Sequence, residues 1–200
     1  ASACVPNRIL FGEKKDKVYA HITTDFPFLM LEVHIEEARY TLHTHLFGRF
    51  NYANILSSIV IGKYFQVPHQ DMMTAIADYR PLNNRSQIII HQQNTFIADA
   101  YNANPSSMAE ALSSFDQIRH TKKIVILGDM LELGKHTADE HRRVMEQLKT
   151  MNLSAIIIVG ECFKAVKDII PCHHFQDAAS VRNWWKEQGI TDALVLLKGS

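Results

Sequence analysis

The sequence predicts an α/β protein with a mainly parallel sheet in its second half. Three short runs, KKIVILGD, SAIIIVGE and DALVLLKG, are almost continuously apolar, which is typical of strands buried on both faces. Because stretches with helical periodicity separate them, we predict an open parallel sheet flanked by helices. The predicted strands are residues 122–129, 154–161 and 192–199, and the predicted helices are residues 105–119, 137–150, 162–169 and 178–188.

The first half of the chain predicts β-strands followed by helices. Residues 17–46 contain three alternating or apolar segments, and Glu36-Glu37 between the last two is interpreted as a hairpin turn. From Asn51 onward, apolar residues recur at helical spacing, and the Asn51 side chain is predicted to cap this helix. A second helix is predicted from about His69 to Tyr79, after a proline.

A linker is predicted between the two halves, because RPLNNRSQ interrupts the periodicity with Pro, Asn and Ser. We therefore predict two domains, residues 1–80 and residues 81–200. The following QIIIHQQNTFIADAY is interpreted as a hairpin around Gln93-Asn94. Asn104-Pro105 predicts a helix start, and Thr137 to Glu140 predicts a capping box at another.

Composition excludes several functional classes. The chain is 46% hydrophobic and 21% charged, with 21 basic and 21 acidic residues, so nothing indicates a nucleic-acid partner. No apolar run approaches the roughly 18 residues that a membrane span requires, so no membrane insertion is predicted. The odd number of cysteines, Cys4, Cys162 and Cys172, indicates reduced thiols in a cytoplasm. The histidines show no metal-ligand spacing with cysteine, so no metal site is predicted.

Polar residues follow each predicted strand of the second half. They are the segments DAYNANP, GDMLELG, GE and KGS, beginning at Asp99, Gly128, Gly160 and Lys198. Each segment alone can be explained as ordinary loop or cap chemistry. Ligands in open α/β sheets bind beyond the carboxyl ends of the strands, and four polar ends at one edge favour a ligand rim. Because no GxGxxG or GxxxxGK[ST] motif is present, pattern alone predicts only an enzyme domain with a Rossmann-like fold.

The motifs at this rim resemble those of a known family. DAYNANPSSMAEAL, followed by IVILGDMLELG and then His141, resembles the Mur ligases and, within them, the MurF type. LFGRFNYANIL resembles the Gly-x-His-Asn-x-x-Asn segment of the family's central domain, with Phe50 at the histidine position. PLNNRSQ resembles the hinge that enters its C-terminal domain.

The resemblance implies a fragment of an ATP-dependent amide ligase. Residues 1–80 would be the end of the central ATP-binding domain, and residues 81–200 most of the C-terminal ligase domain. The family phosphorylates a carboxylate with ATP, and an amine then attacks the acyl phosphate. The MurF type joins D-Ala-D-Ala to UDP-MurNAc-tripeptide, in the cytoplasm and as a monomer. The phosphate loop and the Mg2+ ligands would lie upstream of Ala1, so the fragment alone is expected to be inactive.

The resemblance also implies roles for individual residues. The expected nucleotide-binding residues are Asn51 and Asn54 for adenine, Arg85 for phosphate, Asp99 for ribose, and Tyr101. The expected catalytic residues are Arg85, Asn102 and Lys198, the last as a partner for a carboxylate or phosphate. The expected substrate-binding residues are Asn104, Asp129, Glu132 and His141.

Purely structural roles remain possible for three of these residues: Asn51 and Asn104 as helix caps only, and Arg85 as an exposed linker residue. Two alternatives also remain for the whole protein. One is another Mur or folylpolyglutamate-type ligase, and the other is a non-catalytic nucleotide-binding module.

Overall fold

The computed structural model describes residues 9–14, 16–82 and 84–199. Cys4, Asn83 of the predicted linker and Ser200 of the predicted rim lie outside these ranges. The chain divides into two compact units, residues 1–80 and residues 81–200, and each is described by itself. Within the described ranges, every helix is too short or too polar to reach across a lipid bilayer.

The first unit is a three-stranded antiparallel sheet with two helices. The strands are β1 (Val18–Thr24), β2 (Met30–Ile35) and β3 (Ala38–His43), in the order β1-β2-β3, and the helices are α1 (Asn51–Tyr64) and α2 (His69–Asp78). Alternate strand residues, among them Leu31 and Val33, are fully buried with Ile55 and Ile59 of α1. The predicted turn is confirmed, and Glu36 adopts the left-handed conformation that tight hairpins need.

The predicted cap at Asn51 is wrong. A capping residue must be extended, but Asn51 is already the first residue of α1, and the preceding Phe50 is also helical, with φ −62° and ψ −22°. The backbone amide of Asn51 donates to the carbonyl of Gly48, so a turn leads directly into the helix.

The second unit is the predicted α/β fold with a six-stranded, mainly parallel sheet. Its strand order is β4-β5-β9-β6-β7-β8, and only β4 runs antiparallel to its neighbour. The strands are β4 (Gln87–His91), β5 (Asn94–Asp99), β6 (Lys123–Gly128), β7 (Ala155–Val159), β8 (His173–Phe175) and β9 (Leu194–Lys198), and the helices are α3 (Pro105–Asp116), α4 (Thr137–Leu148), α5 (Glu161–Lys164) and α6 (Ala178–Gln188).

Helices cover both faces of this sheet, as parallel strands require. On one face, Val181 and the α6 tryptophans pack with alternate strand residues such as Ile124 and Val195. The intervening strand residues, including Val125 and Leu196, are also fully buried. Crossovers between parallel strands are right-handed as a rule, which places α3 and α4 on the face opposite α6. The carboxyl ends of β5, β9, β6 and β7 therefore lie side by side at one edge.

Local details of this unit differ from the predictions. The β4–β5 turn is Gln92-Gln93, one residue earlier than predicted, with φ of 46° and 65°. Thr137 does not form a capping box: a 3-10 turn at Gly134–His136 precedes it, and its hydroxyl donates to the Gly134 carbonyl instead. The helix predicted at 162–169 is the short α5 followed by a second 3-10 turn.

Candidate functional site

An ion pair lies at the edge where β5 and β9 end. Asp99 and Lys198 are direct partners in the register of these two parallel strands. Nζ of Lys198 lies 2.8 Å from Oδ2 of Asp99, and the two side chains are only 2% and 18% exposed. The ammonium also donates to the backbone carbonyl of Asn102 at 3.1 Å. The lysine thus neutralises the carboxylate and fixes the backbone after β5.

The second oxygen of the Asp99 carboxylate is bonded to the linker. Oδ1 accepts hydrogen bonds from the backbone amide and the hydroxyl of Ser86, both at 3.1 Å. The amide of Ala100 donates to the carbonyl of Asn84 at 2.9 Å. Residues 84–86 are therefore tied to the end of β5.

Arg85 lies between these two attachments, and its side chain stacks on Tyr101. The guanidinium carbon is 3.7 Å from the centroid of the Tyr101 ring, a distance at which a cation–π attraction operates. Arg85 is exposed, and Tyr101 is 60% exposed. The geometry leaves a cation accessible beside the buried ion pair, which suits an anionic ligand.

Asn104 caps α3. Its side-chain oxygen accepts from the Ser107 amide at 2.9 Å, and the Ser107 hydroxyl accepts from the Asn104 amide at 3.1 Å. The predicted cap is confirmed, with a serine supplying the reciprocal bond. Asn102, two residues earlier, is exposed, but its carbonyl accepts from Lys198, so hydrogen bonds hold this turn at both Asn102 and Asn104.

Asp129 begins a separate group at the ends of β6 and β7. Its two carboxylate oxygens accept from the amides of Cys162 and Phe163, both at 2.9 Å, and so satisfy the first turn of α5. Gly160 lies so close that an added Cβ would be 2.3 Å from this carboxylate. The aspartate predicted to contact substrate therefore has a local partner in α5.

His141 is fully buried behind this loop. Its Nδ1 lies 2.7 Å from the Thr137 carbonyl, and its Nε2 accepts from the Met130 amide at 3.0 Å. Both ring nitrogens are thus engaged in a neutral tautomer that supports the loop. Glu132, also predicted to bind substrate, is exposed in the left-handed conformation on the same loop, with φ 63°.

Asn51 and Asn54 lie in the first unit, where they are bonded to each other. The Asn51 amide group donates to the Phe47 carbonyl at 2.7 Å, and its oxygen accepts from the Asn54 side chain at 3.1 Å. Asn51 is buried, whereas Asn54 is exposed. The Asn54 amide is thus presented at the surface by its buried neighbour.

In the described part of the chain, one set of potential metal ligands lies close together, namely Asp129, His141 and Cys162. Their potential ligand atoms lie within 4.8 Å of one another. The lone pair of His141 Nε2 is occupied by the Met130 amide, and a thiol does not suit Mg2+, which prefers oxygen. These residues therefore do not fit the magnesium ion that the family resemblance implies.

A groove of about 540 Å3 lies elsewhere, along α6 on the face of the second unit's sheet. Phe96, Ile126, Val159 and Leu197 contribute to its floor, and Trp185 to its wall. It contains none of the residues that the family resemblance assigns, so it is distinct from the strand-end site.

The reactivity of the Cys162 thiol towards alkylation should depend on pH. Burial raises its pKa, and the Asp129 carboxylate raises the pKa further. We expect alkylation of Cys162 by iodoacetamide to be slower than in the unfolded chain and to accelerate only above the ordinary thiol range. Because the folded state holds this proton more tightly, the associated stability is lost as the pH rises through the folded pKa.

Asp129→Asn removes the neighbouring charge and should speed alkylation of Cys162 at a given pH, as peptide mass spectrometry would measure. Cys172, whose pKa burial also raises, serves as the internal control, since Asp168 rather than Asp129 is beside it. Equal rates at Cys162 in the wild type and the variant would contradict this explanation.

Position 199, at the same edge of the sheet, has no room for a side chain. An added Cβ would lie 2.9 Å from Cα and 3.1 Å from the amide nitrogen of Gly128, both backbone atoms that cannot move alone. We expect Gly199→Ala to lower the free energy of unfolding by about 2 kcal/mol, measured by urea denaturation. Gly134→Ala, where nothing lies within 4 Å and only φ is unfavourable, should cost about 1 kcal/mol. An equal or smaller cost at Gly199 would show that the strands separate easily.

The fold and the strand-end groups define an α/β domain with polar residues where its parallel strands end. Residues 84–200 match the family described as "Mur ligase, glutamate ligase domain". The chain belongs to the Mur ligase family.

Within this family, the chain is similar in sequence to ligases of the MurF type. The chain is 27% identical to the UDP-N-acetylmuramoyl-tripeptide–D-alanyl-D-alanine ligase of Buchnera aphidicola, over 83% of this chain and 36% of that protein. It is 32% identical to the ligase of the same name from Treponema pallidum, over 61% of this chain and 27% of that protein. The chain thus spans well under half the length of these relatives.

Solved structures agree on the fold. MurF from Acinetobacter baumannii superimposes with a TM-score of 0.83 at 24% identity, over 95% of this chain and 43% of that one. A folylpolyglutamate synthase from Thermotoga maritima gives a TM-score of 0.67 at 10% identity, over 90% of this chain and 43% of that one. At these identities the structures show the shared architecture alone.

Proposed function

We propose that this chain is part of an ATP-dependent ligase that adds D-Ala-D-Ala to UDP-MurNAc-tripeptide in peptidoglycan precursor synthesis. The observation that carries the proposal is the similarity, over most of the chain, to proteins named for this reaction. Residues 1–80 would then belong to the central ATP-binding domain and residues 81–200 to the C-terminal domain. The enzyme would act in the cytoplasm as a monomer.

In this proposal, Arg85 is the residue that contacts phosphate. Its guanidinium is exposed, stacked and always charged, and its planar fork matches phosphate oxygens. Charge that develops during phosphoryl or acyl transfer would be stabilised by a cation held in place beforehand. Mg2+ bound together with ATP would neutralise further phosphate charge.

Asp99 and Lys198 would order the wall of the site. Lys198 is buried and already bonded to Asp99 and to the Asn102 carbonyl, so it supports this wall more readily than it reaches a ligand. Asp99 retains partial exposure, which allows its oxygens to accept from a ribose hydroxyl as well. Asn102 and Tyr101, both exposed, would face the acyl phosphate and the entering dipeptide.

On the other strand ends, Glu132 is the exposed residue that can meet the dipeptide directly. Asp129 and His141 would act by shaping the loop that carries it, because their polar atoms are engaged within the fold. Asn104 would contribute by holding the start of α3. In the first unit, the exposed Asn54 amide would approach adenine, with Asn51 orienting it.

The proposal is tested by phosphate release from ATP by the full-length polypeptide with UDP-MurNAc-tripeptide, with and without D-Ala-D-Ala. Release that requires the dipeptide supports it. Release that ignores the dipeptide but responds to glutamate or another amino acid would retain an amide ligase and overturn the substrate. No release with any amine would overturn the ligase and favour a nucleotide-binding module.

A further inference from the structure

Ser86 is buried in the linker although neither its residue type nor its position marks it in the sequence. It is 4% exposed, and its amide and hydroxyl both donate to the same oxygen of Asp99 at 3.1 Å. Two donors on one carboxylate oxygen form a small clamp, and charge-assisted bonds of this kind are stronger than neutral ones. The other oxygen of Asp99 is held by Lys198.

The clamp holds an unfavourable backbone. Ser86 has φ +54° and Asn84 has φ +57°, so both residues flanking Arg85 are in the left-handed region. This conformation is unfavourable for a non-glycine residue, because its Cβ lies too close to the following carbonyl oxygen. Residues held in such conformations need contacts that determine them, and the bonds to Asp99 and from Ala100 supply these.

The clamp and the stack act on the same arginine from two sides. Asp99 fixes the backbone next to Arg85, and Tyr101, two residues after Asp99, holds the guanidinium at 3.7 Å. A long exposed arginine would otherwise sample many rotamers and would lose that conformational entropy when a ligand immobilised it. Here the conformation is selected before any ligand arrives.

We propose that Ser86 is a positioning residue that, through Asp99, holds residues 84–86 so that the Arg85 guanidinium stays over Tyr101. The effect on turnover rests on the proposed function. The position of Arg85 over Tyr101 does not depend on that function and can be measured in this chain alone. Loss of the Ser86 hydroxyl should release the arginine without removing its charge.

The first test is structural and uses the 200-residue chain. In NMR spectra, the Tyr101 ring should shift the Arg85 Hδ and Hε protons upfield, and Ser86→Ala should return them towards their ordinary positions. Ser106→Ala, at an exposed serine in α3, is the matched control and should leave the shifts unchanged. Ser86→Gly is the alternative variant if Ser86→Ala folds poorly, because glycine adopts a positive φ without strain. It should also abolish the upfield shift of the Arg85 protons.

The second test is kinetic and uses the full-length polypeptide. Ser86→Ala should lower kcat about tenfold while the KM for ATP changes little, because misplacing a group that acts in the transition state costs turnover. Retention of the ring-current shift in both Ser86 variants would overturn the positioning role. Loss of the shift in a protein without dipeptide-dependent phosphate release would support the positioning role and overturn the ligase instead.

Discussion

Replacing Lys198 with methionine is expected to lower the free energy of unfolding of the second unit by about 3 kcal/mol, because it leaves Asp99 as an unpaired, largely buried charge. Urea denaturation followed by tryptophan fluorescence would measure the loss. Both tryptophans of the chain, Trp184 and Trp185, lie in α6 of this unit.

Two controls distinguish the cost of a buried, unpaired Asp99 charge from the cost of losing an ordinary salt bridge. Lys149→Met removes an exposed pair with Glu146 and should leave stability almost unchanged, because such pairs contribute little. Adding Asp99→Asn to Lys198→Met should recover part of the loss, since the neutral amide can still accept from Ser86. Equal costs for Lys198→Met and Lys149→Met would contradict a buried, coupled pair.

Replacing Arg85 with alanine is expected to lower turnover of the full-length polypeptide in the proposed ligase reaction by about tenfold or more, as the loss of a preorganised cation does. Because Arg85 is exposed, stability should hardly change, so the effect is separable from unfolding. Steady-state phosphate release at saturating substrates measures it.

Arg85→Lys keeps the charge but loses the planar fork and the stack on Tyr101, so its turnover should be intermediate. Arg142→Ala, an exposed arginine on α4, is the matched control and should retain wild-type turnover. Wild-type turnover in Arg85→Ala would make Arg85 an ordinary linker residue and remove the kinetic consequence expected of Ser86→Ala.

The fold could be predicted from the sequence because its strands are short, apolar and uninterrupted. β6, β7 and β9 lie inside the predicted ranges to within a residue or two at each end. Helix starts were harder, since a cap requires an extended residue and the sequence does not reveal that turns run directly into α1 and α4. The β4–β5 turn is formed by two glutamines in the left-handed region, without the Asn-Gly signal of such turns.

The sequence places the candidate residues at the strand ends, but it does not reveal their contacts. Asp99 and Lys198 are far apart in sequence, and only the pairing of β5 with β9 brings them together. Nothing in the sequence marks Ser86, the one serine of the predicted linker, because its importance arises from burial against Asp99. His141 and Asp129 were recognisable from their motif, whereas their engagement with Met130 and α5 needed the structure.

If the full-length polypeptide makes an amide through an acyl phosphate, as proposed, oxygen passes from the reacting carboxylate to the released phosphate. UDP-MurNAc-tripeptide carrying 18O in the reacting carboxylate should be incubated with ATP and D-Ala-D-Ala. We expect one labelled oxygen to move from the carboxylate to the released phosphate, as amide formation from an acyl phosphate requires. Unlabelled phosphate, or labelled phosphate without a product heavier by the dipeptide less water, would contradict it.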